Sequence, residues 1–248
     1  MQRLGLIGGT GLDYFGESLG THDIHGLFGR PSASLAEYQI GQTRVFFLPR
    51  HGEQHEFPPH AVNYRANIDA FRQLEVEGII AVNAVGGISA THQPGSLSVP
   101  DQLIDYTWGR DHTFSLVAGD ELEHVEFAWP FEGRMRRGLL KAAAATGNEV
   151  SDGGCVAVTQ GPRLETAAEI RKFKRDGCDL VGMTTMPEAV LARETGLDYA
   201  SLCIIANWAA GLEEEPVSMA AIEATLNGAM IKVRNILGQF FEEFCNDH

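Results

Sequence analysis

VAVTQGPRLETAAEIRKFKRDGCDLVGMTTMPEAV, residues 156–190, decides the fold of this chain. An apolar run from Val156 meets a turn at Gly161 and Pro162, and a helix follows. A second apolar run from Leu180 leads to Met183 and Thr184 and then to another helix, with Pro187 in a favoured first-turn position. Strand, turn and helix in alternation mark an α/β protein. In an open sheet of that class, ligands bind outside the carboxyl ends of the strands. Glu165 follows the first strand and is expected to begin its helix, with Leu164 beside it. Met183 and Thr184 follow the second strand. Each alone reads as a cap or a core residue; what lifts them is that other strands end in the same way.

Working outward, Arg3 to Ile7 is an apolar strand that runs into Gly8-Gly9-Thr10-Gly11. Glycines there let backbone N–H groups approach an anion, and Thr10 adds a hydroxyl. A dinucleotide fingerprint would need a further glycine where Tyr14 stands, and a P-loop would need a lysine. A small phosphate suits the turn better. Residues 35–48 form a hairpin about Gly41-Gln42, ending at Pro49-Arg50-His51-Gly52, where a forked guanidinium and an imidazole offer donors to phosphate. The strand from Gly78 carries Asn83 and Ala84 before Gly86-Gly87. Tyr199 to Ala206 is an apolar strand ending at Asn207-Trp208-Ala209.

Helices are expected over residues 62–74 and 136–146, and from Ser218 almost to the end. The last has Ile222, Leu226, Met230, Val233, Leu237, Phe240 and Phe244 on a buried stripe, with Met219 and Ile222 in its first turn. Pro94 to Ser96 should turn into a strand reaching Ile104, and residues 105–130 read as loops or an interface. With no linker composition and no internal repeat, residues 1–248 are expected to form one domain.

Composition narrows the function. With 248 residues, 44% of them hydrophobic, and 28 glycines, the chain suits a globular enzyme with a sizeable core. A net charge of -14 argues against a nucleic-acid partner. The four cysteines are widely spaced and follow no zinc pattern, with Cys155 and Cys203 in or beside apolar runs. They point to a reducing compartment. Neither a secretory signal nor a membrane-length apolar run is present, so a cytoplasmic protein is expected. His51, His55 and His60 suggest a metal, but the zincin pattern needs Glu directly after its first His, and Gly52 stands there. No metal is expected.

In order along the chain, G-G-T-G-L, the R-H-G turn, V-N-Y-R-A-N, N-A-V-G-G, Q-G-P-R-L-E-T-A-A-E and M-T-T-M-P-E-A resemble the trimeric purine nucleoside phosphorylases, nearest their methylthioadenosine-cleaving branch. The resemblance covers nearly the whole chain. It implies a mixed, partly barrel-like sheet flanked by helices, and a homotrimer without metal or organic cofactor that uses inorganic phosphate to cleave a purine nucleoside. It matches Thr10, Arg50, His51, Asn83, Ala84 and Thr184 to phosphate-binding positions and Met183 to the ribose. His124 resembles a position supplied by the neighbouring subunit.

The sequence departs from the methylthioadenosine branch at the base. That branch carries Asp at positions 207 and 209 and Ser at 165, whereas this chain has Asn207, Ala209 and Glu165. Glu165 and Asn207 resemble the inosine- and guanosine-cleaving branch. A 6-oxopurine has a hydrogen on N1 for a carboxylate and acceptors at O6 and N7 for an amide NH₂. At the other end, Met219 stands where that branch has a His for the ribose 5′-hydroxyl, and with Ile222 it suits a methylthio group. The nucleoside that satisfies both ends is 5′-methylthioinosine. Inosine or guanosine, then methylthioadenosine, are the alternatives, with a non-catalytic nucleoside-binding module of another class behind them.

Overall fold

Four mutually parallel strands form the centre of the fold: β4 (Thr43–Pro49), β1 (Gln2–Gly8), β5 (Gly78–Gly87) and β11 (Asp198–Trp208). The computed structural model describes residues 2–9, 12, 16–115 and 124–244. Side chains alternate across these strands with the period of two that a pleated backbone imposes. Leu4, Leu6, Val45, Phe47, Ile80, Val82, Leu202 and Ile204 enter one core, and Ile7, Phe46, Leu48, Ile79, Ala81, Cys203 and Ile205 enter a second. A parallel sheet is covered on both faces, which is why these strands read as unbroken apolar runs. The first core is closed by α2 (Arg134–Ala145) and α5 (Met219–Glu243), the second by α1 (Tyr64–Gln73) and α4 (Thr185–Glu194).

On one edge the sheet continues antiparallel through β3 (Leu35–Ile40) to β2 (Glu17–His22). On the other, β10 (Leu180–Gly182), β9 (Cys155–Val158) and β7 (Gln102–Asp105) run parallel to one another, and β10 joins β5 antiparallel through Leu180 opposite Gly87. Short β6 (Leu97–Val99) pairs antiparallel with β11, and β8 (Ser151–Asp152) pairs parallel with β6. The result is a single-domain α/β fold with a mixed sheet flanked by helices, the expected class.

Four local expectations are refined. The strand expected to reach Ile104 is broken into β6 and β7, because Pro100 has no N–H for a ladder. Glu165 does not begin α3 (Ala167–Arg175): Thr166 is its N-cap, in a reciprocal capping box with Glu169, which leaves the Glu165 carboxylate free for other work. In α4, Met186 is extended (φ −109°, ψ 134°) and its peptide to Pro187 is cis, so the continuous helical turns start at Pro187. The α5 stripe is buried at Val233, Leu237, Phe240 and Phe244, while Ile222, Leu226 and Met230 are half-buried, and Ile222 lines the pocket described next.

Candidate active site

Strand ends converge on one pocket of about 310 Å³, within the range of small-molecule sites. Arg50 and His51 come from the end of β4, Ala84 from β5, Leu164 and Glu165 from the turn after β9, Met183 and Thr184 from the end of β10, Asn207 from β11 and Ala209 from just beyond it, and Met219 and Ile222 from the first turn of α5. Residues far apart in sequence are thus brought together, although β9 and β10 run antiparallel to β5.

Arg50 is 3% exposed. Its Nε donates to Glu188 Oε1 at 2.5 Å, Nη2 to Glu188 Oε2 at 3.1 Å, and Nη1 to the Val82 carbonyl at 3.0 Å. Tyr199 donates its hydroxyl to Glu188 Oε2 at 2.9 Å, so the carboxylate accepts from three directions. Burial alone lowers the Arg50 pKa, but the charge and hydrogen bonds of Glu188 reverse this and leave it raised. The guanidinium is held rigid by one face of its fork and keeps two N–H groups for a ligand.

Sequence reasoning treats His51 as a donor; the geometry makes it an acceptor. Its Nδ1 lies 2.8 Å from the Phe57 carbonyl, an atom that can only accept, so Nδ1 carries the hydrogen. Burial first, then the charge of Arg50, lower the His51 pKa. The ring is therefore neutral near pH 7 and presents the Nε2 lone pair. Thr184 Oγ1 donates to Asn83 Oδ1 at 3.0 Å, and Asn83 Nδ2 donates to Ser201 Oγ at 2.6 Å. Asn83 is 3% exposed and does not line the pocket; it works from behind, through Thr184.

Thr159 Oγ1 donates to Glu165 Oε1 at 2.7 Å, which leaves Oε2 to accept elsewhere. A register shift between Ile205 and Asn207 against β5 marks a bulge, a device that re-aims a side chain at a sheet rim. Asn207 lies within the strand rather than beyond it, and its Nδ2 donates to the Trp208 carbonyl at 2.6 Å. That bond fixes the amide and leaves one N–H free. Trp208 contributes this carbonyl but does not line the pocket. Gly161 has φ +58°, and a Cβ there would lie 2.5 Å from the Met183 sulfur, so a side chain at position 161 would displace Met183.

Leu164 is 45% and Met219 66% exposed, leaving apolar surface at the pocket mouth. His124 is exposed and does not line the pocket of its own chain. Thr10 lies outside the described residues. Among those described, no group of three His, Cys, Asp or Glu side chains is arranged to hold a metal.

Sequence reasoning missed Glu188, Tyr199, Ser201 and Arg110. Glu188 does leave a signal, a lone acid in the apolar run from Met186 to Leu191. Arg110 leaves none, because it belongs to an irregular segment whose position only the fold reveals.

Residues 3–242 match the Phosphorylase superfamily. The chain is 47% identical over 239 residues to a Xanthomonas campestris protein named "Probable S-methyl-5'-thioinosine phosphorylase", covering 95% of this chain and 96% of that protein. It is 40% identical over 240 residues to the S-methyl-5'-thioadenosine phosphorylase of Pyrococcus abyssi, covering 96% and 91%. Among solved structures, methylthioadenosine phosphorylase from Schistosoma mansoni in complex with adenine matches with a TM-score of 0.93 at 33% identity, over 100% of this chain and 93% of that one. Sequence and fold agree over nearly the whole length, and the chain belongs to the Phosphorylase superfamily.

Proposed function

We propose that the chain catalyses phosphorolysis of S-methyl-5′-thioinosine to hypoxanthine and 5-methylthioribose 1-phosphate, a purine-salvage reaction. The observation that carries this reading is one pocket whose walls differ in chemistry. Arg50, His51 and Thr184 form a polar part, Glu165 and Asn207 another, and Met183, Met219 and Ile222 an apolar remainder. The relative from Xanthomonas campestris carries the same activity in its name.

The chemistry follows from charge. The C1′–N9 bond breaks as a phosphate oxygen bonds to C1′, and the departing electron pair goes to the purine. Arg50 and Thr184 orient the nucleophile, and pre-arranged binding of both reactants removes much of the entropic barrier. The free N–H of Asn207 donates to N7 or O6, where negative charge grows, and Glu165 Oε2 accepts from N1–H. Phosphate is a co-substrate, and the step balances with phosphate and nucleoside alone. Phosphate-dependent base release from methylthioinosine, methylthioadenosine, inosine and adenosine, measured side by side, tests the reading. Equal rates on methylthioadenosine and methylthioinosine would return the chain to the methylthioadenosine reading.

The active species in this reading is a homotrimer in which His124 completes a neighbour's site. Trp108 and Trp129, 72% and 61% exposed, offer apolar surface that a neighbouring copy would cover. Sedimentation should give a trimer, and a fully active monomer would remove His124 from the site. Cys155, Cys178 and Cys203 are free, which supports a reducing, cytoplasmic setting. Among the described residues no helix is long and apolar enough to cross a membrane.

A further inference from the structure

We propose that Arg110 is a positioning residue for this reaction, pinning the turn that carries Glu165 to the strand end that carries Met183. The inference rests on the phosphorolysis reading. Arg110 follows the turn at Gly109 (φ +65°) and lies, 8% exposed, across the ends of β9 and β10. Its Nε donates to Gln160 Oε1 at 3.1 Å. Nη2 donates to the carbonyls of Thr159 at 3.2 Å and Gln160 at 2.8 Å. Nη1 donates to the carbonyls of Met183 at 2.8 Å and Met186 at 2.6 Å. A guanidinium has five N–H donors, and each has an oxygen. None of those oxygens belongs to a carboxylate.

Nη1 also lies 3.4 Å from the Tyr64 hydroxyl on α1, and the other partners fall on two sides. Thr159 and Gln160 belong to the turn after β9, and Thr159 also holds the Glu165 carboxylate through its hydroxyl. Met183 and Met186 follow β10, with Thr184 between them. One rigid, planar cation therefore sets the spacing between the base-reading carboxylate and the residue assigned to the ribose. Lysine keeps the charge but has three donors on a flexible stem and cannot span both sides. A misplacement of about 1 Å in such a site can cost on the order of 100-fold in rate.

The test compares wild type with Arg110→Lys, Arg110→Met and Arg110→Ala, measuring melting temperature, nucleoside and phosphate KM, and kcat. In variants that stay folded, we expect kcat/KM for methylthioinosine to fall about 10- to 100-fold. The preference over methylthioadenosine should narrow, because the Glu165 turn is released. Millimolar guanidinium should restore part of the activity to Arg110→Ala and none to Arg110→Met, whose side chain fills the space. A folded Arg110→Lys with wild-type kcat/KM and wild-type preference would overturn the proposal. So would activity lost only in step with unfolding and not recovered by guanidinium. If wild type itself prefers another nucleoside, the substrate reading fails separately, and the Arg110 variants are scored on that nucleoside.

Discussion

Glu188 holds Arg50 through both carboxylate oxygens, at 2.5 Å from Nε and 3.1 Å from Nη2, with side-chain exposures of 0% and 3%. The charge of the cation is thus matched before any anion arrives. What the pocket offers phosphate is a fixed pair of remaining N–H groups rather than an excess of positive charge. Geometry, not net charge, is what this end of the site supplies.

Removing either partner alone strands a buried charge, at a cost of about 3–5 kcal/mol. Arg50→Ala and Glu188→Gln should therefore both lower the melting temperature, and Arg50→Ala should also raise the phosphate KM and reduce turnover. The paired change Arg50→Met with Glu188→Leu separates the two effects, since a buried ion pair replaced by apolar side chains is often neutral in stability. The double variant should melt closer to wild type than either single change, with a remaining deficit from the Tyr199 hydroxyl and Val82 carbonyl that lose their partners, and show a phosphate KM raised more than about tenfold. An unchanged phosphate KM in that folded protein would remove Arg50 from the site.

His51 gives a pH prediction. Its pKa is lowered, chiefly by burial and then by Arg50, so the ring is neutral at pH 7 and gains its proton only below the ordinary value of 6.5. The folded state then binds fewer protons than the unfolded chain. The stability from neutral His51 is present above pH 6.5 and declines as pH falls below it. Its Nε2 lone pair, and the Thr184 hydroxyl whose proton goes to Asn83, favour an anion that brings its own O–H, as phosphate does. Sulfate brings none. Sulfate inhibition should be weak at pH 7.5 and tighten as pH falls below 6.5 and His51 charges. His51→Gln should flatten that dependence; a pH-independent sulfate constant in wild type would show that His51 does not face the anion.

How much of this was legible in the chain depends on how local each cause is. The strand ends at Arg50, Glu165, Thr184 and Asn207 were readable because apolar runs, glycines and turn residues act over a few positions. The reason Arg50 is fixed was not readable, because Glu188 is 138 residues away and meets it only across α4 and the sheet. The donor or acceptor character of His51 was also invisible, since the carbonyl that sets it, Phe57, is placed by a loop rather than by any pattern. The bulge that aims Asn207 depends on β11 pairing with β5, and no spacing in β11 alone specifies it.

Met219 permits function to be separated from stability. It is 66% exposed although it lines the pocket, so it contributes little to the core and its surface is available for a ligand to cover. Met219→Ala should change stability by less than about 0.5 kcal/mol. The same change should weaken kcat/KM for methylthioinosine by about 1–3 kcal/mol, the worth of a methyl-sized apolar contact. Met219→His should shift preference toward inosine, by giving the 5′-hydroxyl a partner. If wild type cleaves inosine as efficiently as methylthioinosine, Met219 and Ile222 do not read the 5′ end.

The base end carries the sharpest expectation. Thr159 occupies one oxygen of Glu165 at 2.7 Å, and the Trp208 carbonyl occupies one amide hydrogen of Asn207 at 2.6 Å. Each residue is left with one directed group, an acceptor and a donor, which suits N1–H together with O6 or N7 of a 6-oxopurine. A 6-aminopurine turns a lone pair toward Glu165 at N1, and a mismatch of buried polar groups can discriminate by on the order of 10⁴. Methylthioinosine should therefore be preferred strongly over methylthioadenosine, in kcat/KM, because the N7 contact strengthens as the base leaves. Asn207→Asp should lower activity on the 6-oxo substrate, since the carboxylate loses the free N–H. Alone it should improve the 6-amino substrate only modestly, because Glu165 still faces the N1 lone pair. Asn207→Asp with Glu165→Ser should move the ratio further, and Thr159→Val should narrow the wild-type preference by freeing the carboxylate to rotate. Wild-type enzyme that releases adenine as fast as hypoxanthine would show that Glu165 and Asn207 do not read the base in this way.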